Sequence, residues 1–128
     1  MTSHVLHFEI PIDDPARAAG FYARVFGWTV DQWGPIPYWP MTTGEEPGPG
    51  AEGALAPRAD TPEGVIVYVG VDDINDALAS VVQEGGSVVA EKTPIPTIGW
   101  TARFRDTEGN LVGLFQTDET AGMPDAPG

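Results

Sequence analysis

The sequence predicts an α+β fold of two tandem βαβββ modules. Three observations carry that prediction: a repeat at constant spacing, the same order of apolar patterns in each copy, and the composition of a globular domain. Asp13-Asp14 recurs 59 residues later as Asp72-Asp73, and the same spacing relates Ala18 to Ala77, Gly27 to Gly86, Val30 to Val89, Thr42 to Thr101 and Leu55 to Leu114. Such a repeat constrains architecture more firmly than local propensity does. With 128 residues, 41% hydrophobic and 20% charged, the chain suits one ordinary domain and neither a disordered tail nor a coiled coil.

In the first copy, residues 5–12 alternate in polarity as a half-buried strand does. Asp13-Asp14 suits a helix start, because carboxylates accept bonds from the N–H groups of the first turn and oppose the positive end of the dipole. Pro15 fits the first turn, where a missing N–H costs nothing. Ala18, Phe21, Tyr22, Val25 and Phe26 follow at spacings of three and four, an apolar stripe to set on a sheet. Gly27 ends that helix. Three short strand candidates come next at 28–33, 38–43 and 52–56. Pro35, Pro37, Pro40 and the stretch 44–50 interrupt this half, so its third strand is expected to be irregular or at an edge. The second copy repeats the order: an apolar run at 65–71, a helix after Asp72-Asp73 that stops at Gly85-Gly86, and strands at 87–92, 100–105 and 111–116. Residues 57–63 read as a linker and 118–128 as a flexible tail, which leaves modules at 5–56 and 64–117 within a single domain spanning 1–128.

Six Lys and Arg stand against 19 Asp and Glu, and a net charge of −13 repels a phosphate backbone or an anionic membrane surface. Neither nucleic acid nor membrane is expected as a partner. The chain has no cysteine, which removes thiolate nucleophiles, disulfides and thiolate metal sites. His4 and His7 are its two histidines, so three imidazoles cannot come from one chain. No apolar run approaches a membrane span and no basic-then-apolar leader opens the sequence, so a cytoplasmic location is expected. The glycines form neither a phosphate loop nor a dinucleotide fingerprint, and Ser3, Ser80 and Ser87 lack the context of a serine triad.

Strand alternation assigns faces. Phe8, Ile10 and Ile12 should meet the helix, while His7, Glu9 and Pro11 point to the other side of the sheet. In the second copy Ile66 and Tyr68 take the positions of His7 and Glu9, with Val67, Val69 and Val71 on the helix side. His7 and Glu9 are therefore the candidate catalytic residues, an acid-base pair in which the carboxylate orients the imidazole. The alternative is a hydrogen-bonded polar pair that lines a site and reacts with nothing. Among the aromatics, Trp28 and Phe104 are expected in the core. Trp33, Tyr38 and Trp39 flank a Gly-Pro-Ile-Pro connection and Trp100 follows a similar one, where rings are suited to wall a pocket. Tyr68, Trp33, Trp39 and Trp100 are the candidate ligand-binding residues.

The run His7-Phe8-Glu9-Ile10-Pro11-Ile12-Asp13-Asp14-Pro15, then Ala18-Ala19, Phe21-Tyr22 and Val25-Phe26-Gly27-Trp28, is echoed by Phe104-Arg105-Asp106-Thr107-Glu108-Gly109-Asn110. In these motifs the sequence resembles the vicinal oxygen chelate superfamily, the glyoxalase, bleomycin-resistance and extradiol-dioxygenase group, over about residues 5–117. The resemblance implies paired βαβββ modules whose curled mixed sheets form a cleft, and pairing of two chains as a homodimer. It also implies a divalent ion held by ligands from the first and last strands of each module. Carried over, those positions fall on His7, Ala54, Ile66 and Gly113. One imidazole and three positions without a donor do not make a metal site, so neither metal nor other cofactor is expected. An unusual cluster of His7, Glu9 and Glu52 remains the alternative. The expected function is binding of a small organic molecule. The alternative is an enzyme, such as a lyase, isomerase, hydrolase or dioxygenase-like protein, using His7 and Glu9 as an acid-base pair or in a residual metal site.

Overall fold

The computed structural model describes residues 3–44, 52–60 and 63–123. Its first half runs β1 (Val5–Ile12), α1 (Pro15–Phe26), β2 (Thr29–Val30), β3 (Trp39–Thr42) and β4 (Glu52–Pro57). The second runs β5 (Ile66–Gly70), α2 (Ile74–Gln83), β6 (Ser87–Ile95), β7 (Gly99–Arg105) and β8 (Leu111–Thr117). Both halves are βαβββ, and the class is α+β as the sequence predicts. They form two compact units, Leu6–Val67 and Tyr68–Gly128 together with Met1–Val5.

Each unit builds a mixed sheet in the same way. In the first, the strands lie in the order β2-β3-β4-β1, with β1 parallel to β4 and the other neighbours antiparallel. In the second the order is β6-β7-β8-β5, with β5 parallel to β8. A parallel pair needs a crossover, and the connection through each helix supplies its start. The 59-residue spacing holds at this pairing, since Glu9 faces Ala54 as Tyr68 faces Gly113. It fails at the next strand. Trp39 pairs with Leu55, whereas Leu114 pairs with Ala102, which lies 63 residues after Trp39. The match of Thr42 with Thr101 is therefore one of letters, and the first copy is four residues shorter than the second ahead of β3.

The helix ends follow their expected chemistry. Asp14 caps α1 by accepting from the Arg17 N–H, and Asp73 caps α2 by accepting from Asn75 and Asp76. Gly27 closes α1 at a φ of 75°, a left-handed conformation that glycine adopts without steric cost. In the first unit Phe8, Ile10, Ala18, Ala19, Tyr22, Trp28 and Val30 pack around Ile12, Met41 and Leu55. In the second, Val69, Val71, Ala77, Val88 and Phe104 pack around Ile74, Leu78, Ala102 and Leu114. Trp28, stacked on Tyr22 at a centroid distance of 5.3 Å, and Phe104 are core residues as expected.

Part of the expected loose tail makes contacts with the second unit. Ala121 is fully buried in the second core, its carbonyl accepts from the Thr97 N–H, and Asp118 accepts from the Trp100 indole. The buried Ala121 side chain and these two hydrogen bonds hold residues 118–121 to the β6–β7 connection and the start of β7. Residues 124–128 of that tail, 45–50 of the Gly-rich interruption and 61–62 of the linker lie outside the described residues. No helix among the described residues is long and apolar enough to cross a membrane.

Candidate functional site

In the first unit, β1 carries His7 and Glu9 on the face away from α1, while Phe8, Ile10 and Ile12 enter the helix-side core. Glu9 is the buried charged residue among those described, at 8% exposure. A carboxylate drawn this far from water requires polar partners. One partner is Tyr38, which enters just ahead of β3. Its hydroxyl donates to Glu9 Oε2 at 2.9 Å and stands 2.6 Å from His7 Nε2, while the imidazole and carboxylate are 3.7 Å apart. A phenol has one proton. With that proton directed at Glu9, its oxygen is left to accept from His7, which places a hydrogen on Nε2.

Backbone bonds aim Tyr38 at this position. Asp31 N–H to Pro40 C=O and Trp33 N–H to Tyr38 C=O continue the β2–β3 pairing beyond the strands, and Gln32 braces the turn through the Ile36 carbonyl. Trp33 is 44% exposed at the tip, with its ring centroid 6.1 Å from that of Tyr38. Sequence reasoning placed Tyr38 among the rings of this connection without assigning it to the site. The signal it lacked was the turn that folds residue 38 back onto β1.

The second unit has its own polar group on the corresponding face. Tyr68 is buried and lies against Gly113, where an added Cβ would stand 2.3 Å from the ring. Its hydroxyl accepts from Arg103 Nε at 3.1 Å and Nη2 at 2.8 Å. Tyr68 pairs with Gly113, and Gly113 with Arg103, so the three residues sit side by side across β5, β8 and β7. Arg103 was missed in the sequence. Its signal is the alternation of Thr101, Arg103 and Arg105 against Trp100, Ala102 and Phe104, which places both arginines on the face away from α2.

The other two candidate rings lie against the cores. Trp39 shares β3 alternation with the buried Met41 and packs into the first core. Trp100 shares a side with Ala102 and Phe104 and is buried in the second core, with Lys92 Nζ 4.3 Å from its ring centroid. Both rings serve the helix side of their sheets. Trp33 lies beside Tyr38, and Tyr68 lies on the face predicted for it.

The positions at which a divalent ion would be held do not fit one. Ala54 and Ile66 are buried hydrocarbon, and Gly113 is covered by the Tyr68 ring. His7 and Glu52 are register partners, but Glu52 is exposed, and the described residues contain no group of three or more imidazoles and carboxylates able to hold an ion. The His7, Glu9 and Glu52 cluster is therefore not assembled.

Residues 4–114 match the model of the Glyoxalase/Bleomycin resistance protein/Dioxygenase superfamily. The chain belongs to this superfamily. A glyoxylase-like domain-containing protein of Didymella fabae is 34% identical over 108 residues, which cover 80% of this chain and 84% of that one. CFP32 of Mycobacterium bovis is 31% identical over 124 residues, 89% of this chain but 46% of its own length. The chain thus spans about half of that relative. Among solved structures, methylmalonyl-CoA epimerase from Mycobacterium tuberculosis superposes with a TM-score of 0.67 at 16% identity, covering 89% of this chain and 87% of that one. At that identity the likeness is one of glyoxalase-superfamily fold.

Proposed function

We propose that this glyoxalase-superfamily chain binds a small organic molecule at the sheet face that carries His7, Glu9 and Tyr38, without a resident divalent ion. The observation that supports this most is the buried Glu9 carboxylate with the Tyr38 hydroxyl between it and His7. Ordering three polar side chains on a sheet face has an entropic cost, and a purely structural role would be served as well by apolar residues. Exposed Trp33 beside Tyr38 offers a ring for stacking. Two chains are expected to associate as a homodimer.

The second reading is an enzyme that moves a proton on a carbon or hydroxyl next to a carbonyl. The Tyr38 bridge favours it, because Tyr38 and Glu9 together hold the orientation of the His7 imidazole. An epimerase among the structural neighbours is compatible with that chemistry.

A thermal-shift screen of small carbonyl and hydroxyl compounds, repeated on His7→Ala and Glu9→Gln, tests both readings. A stabilising compound whose effect is lost in both variants supports binding at this face. Turnover of that compound abolished in His7→Ala supports the enzyme. Stabilisation unchanged in both variants moves the site elsewhere.

A further inference from the structure

We propose that the outward face of α1 is a docking surface for an acidic amphipathic helix of another protein. It is separate from the face of His7, Glu9 and Tyr38, which β1 carries on the side of its sheet away from α1.

At successive spacings of four, three and one, Arg17, Phe21, Arg24 and Val25 form a stripe along α1, opposite the side on which Ala18, Ala19 and Tyr22 pack into the first core. Phe21 is 52% exposed and Val25 53%. The internal repeat supplies a comparison. Fifty-nine residues on, the same stripe of α2 and its C-cap reads Asp76, Ser80, Gln83 and Glu84, all exposed and none apolar. A helix of this fold that faces only water thus needs no apolar residue there, and α1 departs from it both in apolarity and in the sign of its charge. The two helices also differ in how they seat, since α2 buries Ile74 and Leu78 while no residue of α1 is buried. A large ring half exposed beside a second exposed apolar side chain marks a contact surface more than a solvated one.

Charge selects the partner. With Arg17 and Arg24 and no acidic residue, α1 carries +2 in a chain of net charge −13, which leaves −15 on everything else. Neither arginine makes an ion pair with a described residue. The Arg24 guanidinium lies back along the helix over Gly20, where an added Cβ would stand 2.8 Å from Nη1. Seven residues of helix set the two arginines about 10.5 Å apart along the axis. A partner helix with carboxylates at that spacing and apolar residues between them meets both cations and covers Phe21 and Val25. A broad anionic surface such as a bilayer faces the −15 as well as α1. A helix about 10–12 Å across meets α1 itself, and charge more than about 8 Å away is largely screened. A second copy docking through the same helix on a twofold axis sets arginine against arginine, with no carboxylate on either helix to relieve them. Apolar burial supplies the affinity of such a contact and the arginines its selectivity.

The probe is a capped, Ala-rich helical peptide of about 15 residues, with Leu at spacings of three and four and two Glu seven residues apart. Its control has Lys in place of both Glu. Each is titrated into 15N-labelled full chain and followed by amide shifts. The Glu peptide is expected to bind at least about tenfold more tightly than the Lys peptide, equivalent to about 1.4 kcal/mol, with shifts along α1 and none along α2. The double variant Arg17→Glu/Arg24→Glu should reverse the preference, and Phe21→Ser should weaken the binding of both peptides. If the double reversal does not fold, Arg17→Gln/Arg24→Gln decides in its place by abolishing the preference. Equal affinities, a preference indifferent to both arginines, shifts away from α1, or absence of saturable binding overturns the inference. So does a dimer in sedimentation that Phe21→Ser dissociates, because a second copy then covers the stripe. Binding to phosphatidylglycerol vesicles that Phe21→Ser abolishes overturns it too, by making the stripe a membrane contact.

Discussion

The ring of Tyr68 occupies the space that a side chain at Gly113 would need: a Cβ there would stand 2.3 Å from Tyr68 Cδ2 and 2.4 Å from Cε2. Contacts this close force displacement of the ring or the strand. Gly113→Ala is expected to destabilise the protein by about 1–3 kcal/mol, the usual cost of overpacking. Adding Tyr68→Ala should recover part of that loss, because the second change removes the clashing atoms. Chemical denaturation of the two single variants and the double variant measures this coupling. Additive losses would show that the ring is not what excludes a side chain at 113.

Tyr38 connects the two residues that alternation placed on one face. Tyr38→Phe removes the hydroxyl that Glu9 accepts at 2.9 Å and His7 meets at 2.6 Å. Hydrogen bonds to charged groups are worth about 1.5–3 kcal/mol, so a loss of that order is expected at neutral pH. In a Glu9→Gln background the same change should cost less, since the charge that strengthened the bond is gone. A double-mutant cycle by urea denaturation reads the difference.

These two cases mark what local pattern could and could not reveal. Alternation along β1 and β5 correctly placed His7 and Glu9 on one face, and Tyr68 on the corresponding face of the second unit, because side-chain direction in a strand is set by parity alone. The acidic pairs located both helix starts for a similarly local reason: Asp14 and Asp73 bond to N–H groups two or three residues away. Tyr38 was not legible, since its position depends on a turn between Trp33 and Tyr38 that brings residues 29 to 31 apart in sequence together. The same gap hid the Tyr68 contact with Arg103, 35 residues away. The packing of Trp39 and Trp100 against the cores was hidden for another reason. Their neighbouring prolines suggested exposed connections, but both sit within strands whose alternating partners, Met41 and Ala102, are buried.

The lack of fit at Ala54, Ile66 and Gly113 leads to a measurement on metal dependence. A site with micromolar affinity for nickel, zinc or manganese would stabilise the fold by about 2.7 kcal/mol at a concentration a hundred times its Kd. The midpoint of thermal unfolding is expected to stay the same after dialysis against a chelator and after addition of each ion. A rise that His7→Ala abolishes would show that His7 recruits ligands other than the three that lack donors.

Acid should loosen the end of the second unit first, and the cause is Asp118. Its carboxylate accepts from the Thr120 hydroxyl at 2.7 Å, from the Trp100 indole at 2.9 Å and from the Thr120 N–H at 2.9 Å, and Lys92 adds a favourable charge. Together these hold the carboxyl below its ordinary value of 3.8, the Thr120 hydroxyl having the largest effect. A group whose pKa is lower in the folded state binds its proton less readily there than in the unfolded chain. Its stabilising effect is therefore complete above the unfolded value and is lost as pH falls through the folded one. Asp118→Asn should flatten the acid limb of stability while leaving its slope near neutrality unchanged, as read from denaturation midpoints taken from neutral pH down to about pH 2. Trp100→Phe, which keeps a ring in the core but removes the indole N–H, should raise the Asp118 titration towards its ordinary value in a carboxyl-detected NMR experiment. An acid limb identical in wild type and Asp118→Asn would assign the loss to other carboxylates. Asp106 is the first to examine, since it is also held low, by the Asn110 N–H first and then by that residue's side chain.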